Sequence, residues 1–123
     1  MPHIIIEHSK AFDEPSMLNI GSQIQEIMAN IAHGNFDADQ CKIRTISYQQ
    51  FKVGLDKNNA NFIHISIKIL AGRALEIRQE LAQKTFDLVE NFYRNLNNFN
   101  SRCDISIDIV EMDRNCYKKI TIK

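Results

Sequence analysis

The chain has no excess of charge of either sign, with 15 lysines and arginines against 15 aspartates and glutamates. Without a basic field to gather phosphate backbones, nucleic acid is a poor default partner. Its 3 cysteines, Cys41, Cys103 and Cys116, form an odd set with no Cys-x-x-Cys spacing, and they read as unreactive thiols in a reducing cytoplasm. Nothing upstream of Pro2 reads as a signal peptide. No apolar run approaches the length of a membrane span. His3, His8, His33 and His64 have no ligand spacing, so they read as structural or surface residues and no metal is expected.

What is present suffices for one domain over residues 1–123. At 44% hydrophobic content, a chain of this length buries roughly two thirds of its unfolded surface without a staple. Pro2 to Glu7 reads as a strand from its isoleucines, and Asp13-Glu14-Pro15-Ser16 suits a helix start. Met17, Ile20, Ile24, Ile27, Met28 and Ile31 then recur at spacings of three and four, predicting a one-sided helix that ends near Gly34. After a polar loop, Cys41 to Phe51 reads as a second strand, closing a β-α-β unit over about 2–52.

The second half repeats this plan over about 61–110. Phe62, Ile63, Ile65, Ile67 and Ile69 interleave with His64, Ser66 and Lys68 at a period of two. Leu75, Ala82, Phe86, Val89, Phe92, Tyr93 and Leu96 predict a helix of about six turns, with Asn97-Asn98-Phe99-Asn100 as its terminator. Ile105, Ile107 and Ile109 mark the last regular strand, and a short segment at Ile120 to Ile122 follows a polar break. The expected fold is therefore α/β (α+β), with two consecutive β-α-β units forming a four-stranded mixed sheet and both helices on one face. The bare face, in a sheet this rich in isoleucine, is expected to be an apolar patch covered by other subunits. The C-terminal arm, 111–123, is expected to pair with a neighbour.

Pro2 stands at the root of the first strand. If Met1 is removed, its nitrogen becomes a secondary amine held by the fold, a candidate catalytic base; with Met1 retained it is an amide. Such a base needs cations for its substrate and for the charge left on carbon. Arg73, following Ala71-Gly72 at a strand-to-helix junction, sits where the positive helix end already favours an anion. Arg44, with Lys42 near it, is the other cationic position, and Phe51 reads either as core or as a pocket wall.

Met1-Pro2-His3-Ile4-Ile5-Ile6-Glu7, the strand Phe62-Ile63-His64-Ile65-Ser66-Ile67-Lys68-Ile69 and the turn Ala71-Gly72-Arg73-Ala74-Leu75-Glu76-Ile77-Arg78-Gln79 together resemble the 5-carboxymethyl-2-hydroxymuconate isomerase family of the tautomerase superfamily. The resemblance covers nearly the whole chain. It implies a cytoplasmic homotrimer with sheets facing inward, in which the N-terminal proline, freed of methionine, shuttles a proton in an unsaturated 2-hydroxy/2-oxo dicarboxylate without a cofactor. It further implies a place in aromatic-compound catabolism, in homoprotocatechuate degradation. The family's turn arginine falls on Arg73, its second arginine on Lys42 or Arg44, and a pocket aromatic on Phe51. A promiscuous phenylpyruvate-like keto-enol tautomerase and a non-catalytic oligomeric binding domain are the competing readings.

Overall fold

The computed structural model describes residues 1–56, 59–96 and 101–123. Four strands and two helices follow in the order β1 (His3–Ser9), α1 (Glu14–Ala29), β2 (Lys42–Tyr48), β3 (Asn61–Leu70), α2 (Leu75–Arg94) and β4 (Cys103–Met112), with a short 3-10 turn at Ala38–Gln40 before β2. The sheet order is β2-β1-β3-β4. β1 runs parallel to β2 and antiparallel to β3, and β3 runs parallel to β4. This is the expected four-stranded mixed sheet with two helices.

The period-two pattern decides the faces. Ile4 and Ile6 of β1 and Ile63, Ile65, Ile67 and Ile69 of β3 are all essentially inaccessible, and they meet Met17, Ile20, Ile24 and Met28 of α1 with Leu81 and Val89 of α2 in one core. Strand alternation sends every second residue to one side, so six of the seven isoleucines of the two central strands go to the helix-covered face, and Ile5 alone among them takes the other. The opposite face is not the expected apolar patch. It is a polar ladder in which Tyr48 donates to Glu7 at 2.8 Å, His64 Nδ1 lies 2.6 Å from Ser106 Oγ, and Arg44 donates to His3.

Asp13 caps α1 by accepting from Ser16 N at 2.7 Å and Ser16 Oγ at 2.9 Å, which holds its carboxyl below the usual range. The helix stops at Ala29, short of Gly34, with Asn30 (φ -100°) as its C-cap, and the chain turns left-handed further on at His33 (φ 63°) and Asn35 (φ 55°). In α2 the buried line is Leu81, Thr85 and Val89, whereas Leu75 is 52% exposed at the helix start. The expected terminator Asn97 to Asn100 lies outside the described residues, as do Lys57 and Asn58 of the connection before β3.

Beyond β4, one boundary moves: the strand continues through Glu111 and Met112, so the arm begins at Asp113 and not at 111. Ile120 and Ile122 are 78% and 83% exposed, with no strand partner to fix them.

Gly21 marks the closest approach of α1 to the sheet. A β-carbon there would lie nearer to Ile43 Cγ2 of β2 than carbon atoms can come. Gly21→Ala, which in a free helix is favourable by about 1 kcal/mol, should therefore destabilise this protein by about 1–3 kcal/mol. Adding Ile43→Ala should make the two changes non-additive in denaturant titrations, because the second removes the atom the first collides with.

Candidate functional site

The start of β1 is tied into the sheet from its first residues. Pro2 is buried, and its carbonyl accepts from Lys42 N at 3.0 Å, extending the parallel ladder one residue beyond the His3–Lys42 pair. In the chain as it stands Pro2 N is acylated, and the free amine is that of Met1. That amine is held below the ordinary α-amino range, by burial first and then by the positive charges of Lys42 and Arg73, with Cys41 and Asp37 acting weakly against them. Three of the sequence-derived positions, Pro2, Lys42 and Arg73, thus meet at one end of the sheet.

Arg73 is anchored before it meets any ligand. Its Nε donates to Gly34 O at 2.9 Å, one terminal nitrogen to Leu70 O at 3.1 Å and the other to Asn35 O at 3.1 Å. Its guanidinium carbon stands 4.2 Å from the centroid of the Phe36 ring, a cation–π contact. These bonds use three of the five N–H donors of a guanidinium and leave two for an anion. Burial, followed by the charge of Arg114, lowers its proton affinity. The α2 N-terminus beside it has no side-chain cap at Ala74, so its first amides also face that end unpaired by a side chain.

The other two cations are already engaged. Lys42 Nζ donates to Gln40 O at 3.0 Å. Arg44, exposed on the polar face, donates to His3 Nδ1 at 3.0 Å. Because a guanidinium can only donate, Nδ1 of His3 must accept, and the ring proton sits on Nε2, 3.0 Å from Tyr117 Oη. Burial first, then Arg44 and Lys42, depress the proton affinity of His3, which keeps it in this neutral form.

Phe51 is at the other end. Its ring packs edge-on to Phe62 at 5.4 Å between centroids, and with Tyr48, Gly54 and Asp104 it lines a hollow of about 440 Å³. Pro2 and Phe51 flank opposite ends of the seven-residue strand β2, roughly 20 Å apart at about 3.3 Å per residue. The chain does not bring Phe51 to its own Pro2.

Sequence reasoning named the arm but none of its residues as part of this end of the sheet. Arg114 Nε donates to Ala71 O, Tyr117 reaches His3, and Lys119 Nζ donates to Gln40 Oε1 and to Thr121 Oγ1. The arm therefore folds back over the Pro2 end of its own chain. Its one legible signal was the cluster Arg114, Tyr117, Lys118 and Lys119 after the polar break. Burial raises the thiols of Cys41 and Cys103, the latter to about 11, so both stay protonated at neutral pH. Among the described residues no group of three or more His, Cys, Asp or Glu is placed to hold a metal, and no helix is long and apolar enough to cross a membrane.

The family model for 5-carboxymethyl-2-hydroxymuconate isomerase matches residues 2–123. Solved structures with the same fold include a 5-carboxymethyl-2-hydroxymuconate isomerase from Deinococcus radiodurans R1, with TM-score 0.86, 16% identity, and 98% of this chain and 90% of that chain covered. A 5-carboxymethyl-2-hydroxymuconate delta-isomerase matches with TM-score 0.77 at 14% identity over 98% of this chain and 88% of that one. A fused wild-type 4-OT symmetric trimer matches with TM-score 0.71 at 11% identity over 92% and 88%. No curated protein matches the chain.

The three carbonyls on Arg73 predict a structural effect separable from any catalytic one. Arg73→Ala should cost about 1–3 kcal/mol of stability, because Gly34, Leu70 and Asn35 lose a charged donor. Arg73→Lys should recover only part of it, since an ammonium cannot span three acceptors in one plane. Thermal unfolding of the two variants checks both statements.

Proposed function

Because the chain belongs to the 5-carboxymethyl-2-hydroxymuconate isomerase family of the tautomerase superfamily, and is thereby an isomerase-type enzyme, we propose that it moves a proton within an unsaturated 2-hydroxy/2-oxo acid with at least two carboxylates, with 5-carboxymethyl-2-hydroxymuconate, which carries three, as the leading substrate. Pro2 is the base, once Met1 is removed. The observation that carries this reading is the placement of the first residues. The Pro2 carbonyl is pinned to Lys42 N, and the neighbouring amine feels both Lys42 and Arg73.

In this mechanism the neutral Pro2 amine takes a proton from a carbon next to the unsaturated carbonyl, and the electron pair left behind spreads into a dienolate. The prolinium then returns the same proton to another carbon of the conjugated system, giving the 1,3-shift, or to the enolate oxygen, giving the keto-enol exchange. The balance is a 1,3-shift or a keto-enol exchange with no net oxidation, so the chemistry requires no redox cofactor. One group serves as base and acid because the fold holds it within reach of both carbons. The residual donors of Arg73 and the positive charge of Lys42 or Arg44 bind carboxylate and oppose the developing oxyanion.

The working form in this reading is a cytoplasmic homotrimer of single tautomerase-like domains with inward-facing sheets. The fused 4-OT relative is itself a symmetric trimer. A polar, hydrogen-bonded open face suits such an assembly better as a wet interface than as an apolar core. Phe51, about 20 Å from its own Pro2, would serve as a pocket wall only for a neighbouring subunit.

A base must be neutral to act, so kcat/KM should rise with pH through the pKa of the Pro2 amine and level off above it. Burial and the charges of Lys42 and Arg73, which lower the Met1 amine, should act in the same direction on the freed Pro2 amine and move that rise to lower pH. Lys42→Gln removes a positive charge, raises the amine's pKa and should shift the rise to higher pH. Pro2→Ala should lower kcat/KM by roughly 10²-fold or more, and protein whose intact mass includes Met1 should be inactive. An unshifted profile in Lys42→Gln together with full activity in Pro2→Ala would refute the assignment.

A further inference from the structure

We propose that Arg114 is a carboxylate-binding residue of the same site, and that with Arg73 it gives the enzyme a preference for substrates carrying more than one carboxylate. The inference rests on the proposed isomerase reading for its substrate, but not for its anion chemistry. Arg114 comes from the arm that begins at Asp113, and its Nε donates to Ala71 O, while Arg73 donates to Leu70 O one residue earlier. The two guanidiniums therefore stand on consecutive carbonyls of a single turn. Between them lies Gly72, at φ 124°, where an added β-carbon would sit 3.5 Å from Arg114 Nε.

Two like charges placed this close repel each other, and the usual compensation is a carboxylate between them. Among the described residues neither arginine has a carboxylate within salt-bridge distance. Asp113, the acid next to Arg114, accepts instead from Asn115 N and Cys116 Sγ. Arg114 spends only its Nε–H on the protein, so both terminal nitrogens keep their hydrogens for a ligand in fork geometry. Arg73 keeps two more. The pair is thus an uncompensated, donor-rich cradle, and Arg73 links it to the amine end of β1, since its charge acts on the terminal amine.

Arg44 is the weaker candidate for this role. Its guanidinium is directed at His3 Nδ1 on the polar sheet face, and His3 is in turn bonded to Tyr117. The arm is fixed at two further points, Tyr117 on His3 and Lys119 on Gln40. Arg114 is consequently carried to the turn by an anchored segment and does not depend on its own flexible stem to find it.

The test uses the full-length, Met1-processed protein and calorimetric titration with three unreactive probes: tricarballylate, glutarate and butyrate. Arg114→Gln should weaken tricarballylate and glutarate about tenfold and leave butyrate unchanged, with Arg114→Lys in between because it keeps charge and loses the fork. With a dicarboxylate dienol as substrate, Arg114→Gln should raise KM by a similar factor at nearly constant kcat. Tyr117→Phe, which loosens the anchored arm without removing a charge, should produce a smaller loss with the same order of probes. Equal weakening of all three probes in Arg114→Gln, no weakening, or a Tyr117→Phe loss that ignores the number of carboxylates would overturn the proposal. Binding that depends on Arg114 in a protein that turns over no dienol would uphold the anion site and remove the proposed activity instead.

Discussion

The structure depends on β1 being an interior strand that begins at the chain's own start. Free ends of chains are ordinarily their least ordered parts. Here β1 is hydrogen-bonded to β2 on one side and β3 on the other, and the ladder reaches back to the Pro2 carbonyl. Ile4 and Ile6, wholly inaccessible beneath the two helices, fix its register, because a slip by one residue would send both to the polar face. A terminal nitrogen can be positioned to within bonding tolerance only when the residues immediately after it are immobilised in this way.

Charge is then assembled around that fixed point from segments far apart in sequence. The start of β2 supplies Lys42 and the end of β3 leads into Arg73, while the arm after β4 brings Arg114 to the turn that carries Arg73. Parallel pairing of β1 with β2 places two strand beginnings side by side, and antiparallel pairing with β3 places the end of that strand next to them. Arg73 has a double part in this arrangement. It ties the loop at Gly34 and Asn35 to the end of β3, and its charge acts on the terminal amine. A residue that holds the frame and also acts on the terminal amine links stability to the state of that amine, so variants at this position report on both.

The two faces of the sheet divide the remaining work. The helix-covered face is almost purely aliphatic and provides the core. The open face is hydrogen-bonded within itself through Glu7 and Tyr48, His64 and Ser106, and Arg44, His3 and Tyr117. An apolar open face was the expectation from composition, yet in the central strands the alternation sends every isoleucine but Ile5 to the helix side. The open face therefore meets water or a polar partner without exposing a large apolar area.

Local patterns carried most of the fold. The alternation Ile63, Ile65, Ile67, Ile69, the three-and-four spacing from Met17 to Met28, and the Asp13 cap each act over a few residues, so the sequence by itself determined the strands, the helices and the face each side chain takes. It also placed Pro2 at a strand root and Arg73 at a strand-to-helix turn, since both positions follow from their immediate neighbours. Tertiary structure alone decided the rest. Arg114 meets Ala71 and Tyr117 meets His3 across 43 and 114 residues of chain, and Phe51 lies a full strand length from Pro2. No periodicity encodes contacts at such separations, because strand order and direction, not local spacing, determine which ends of the sheet come together.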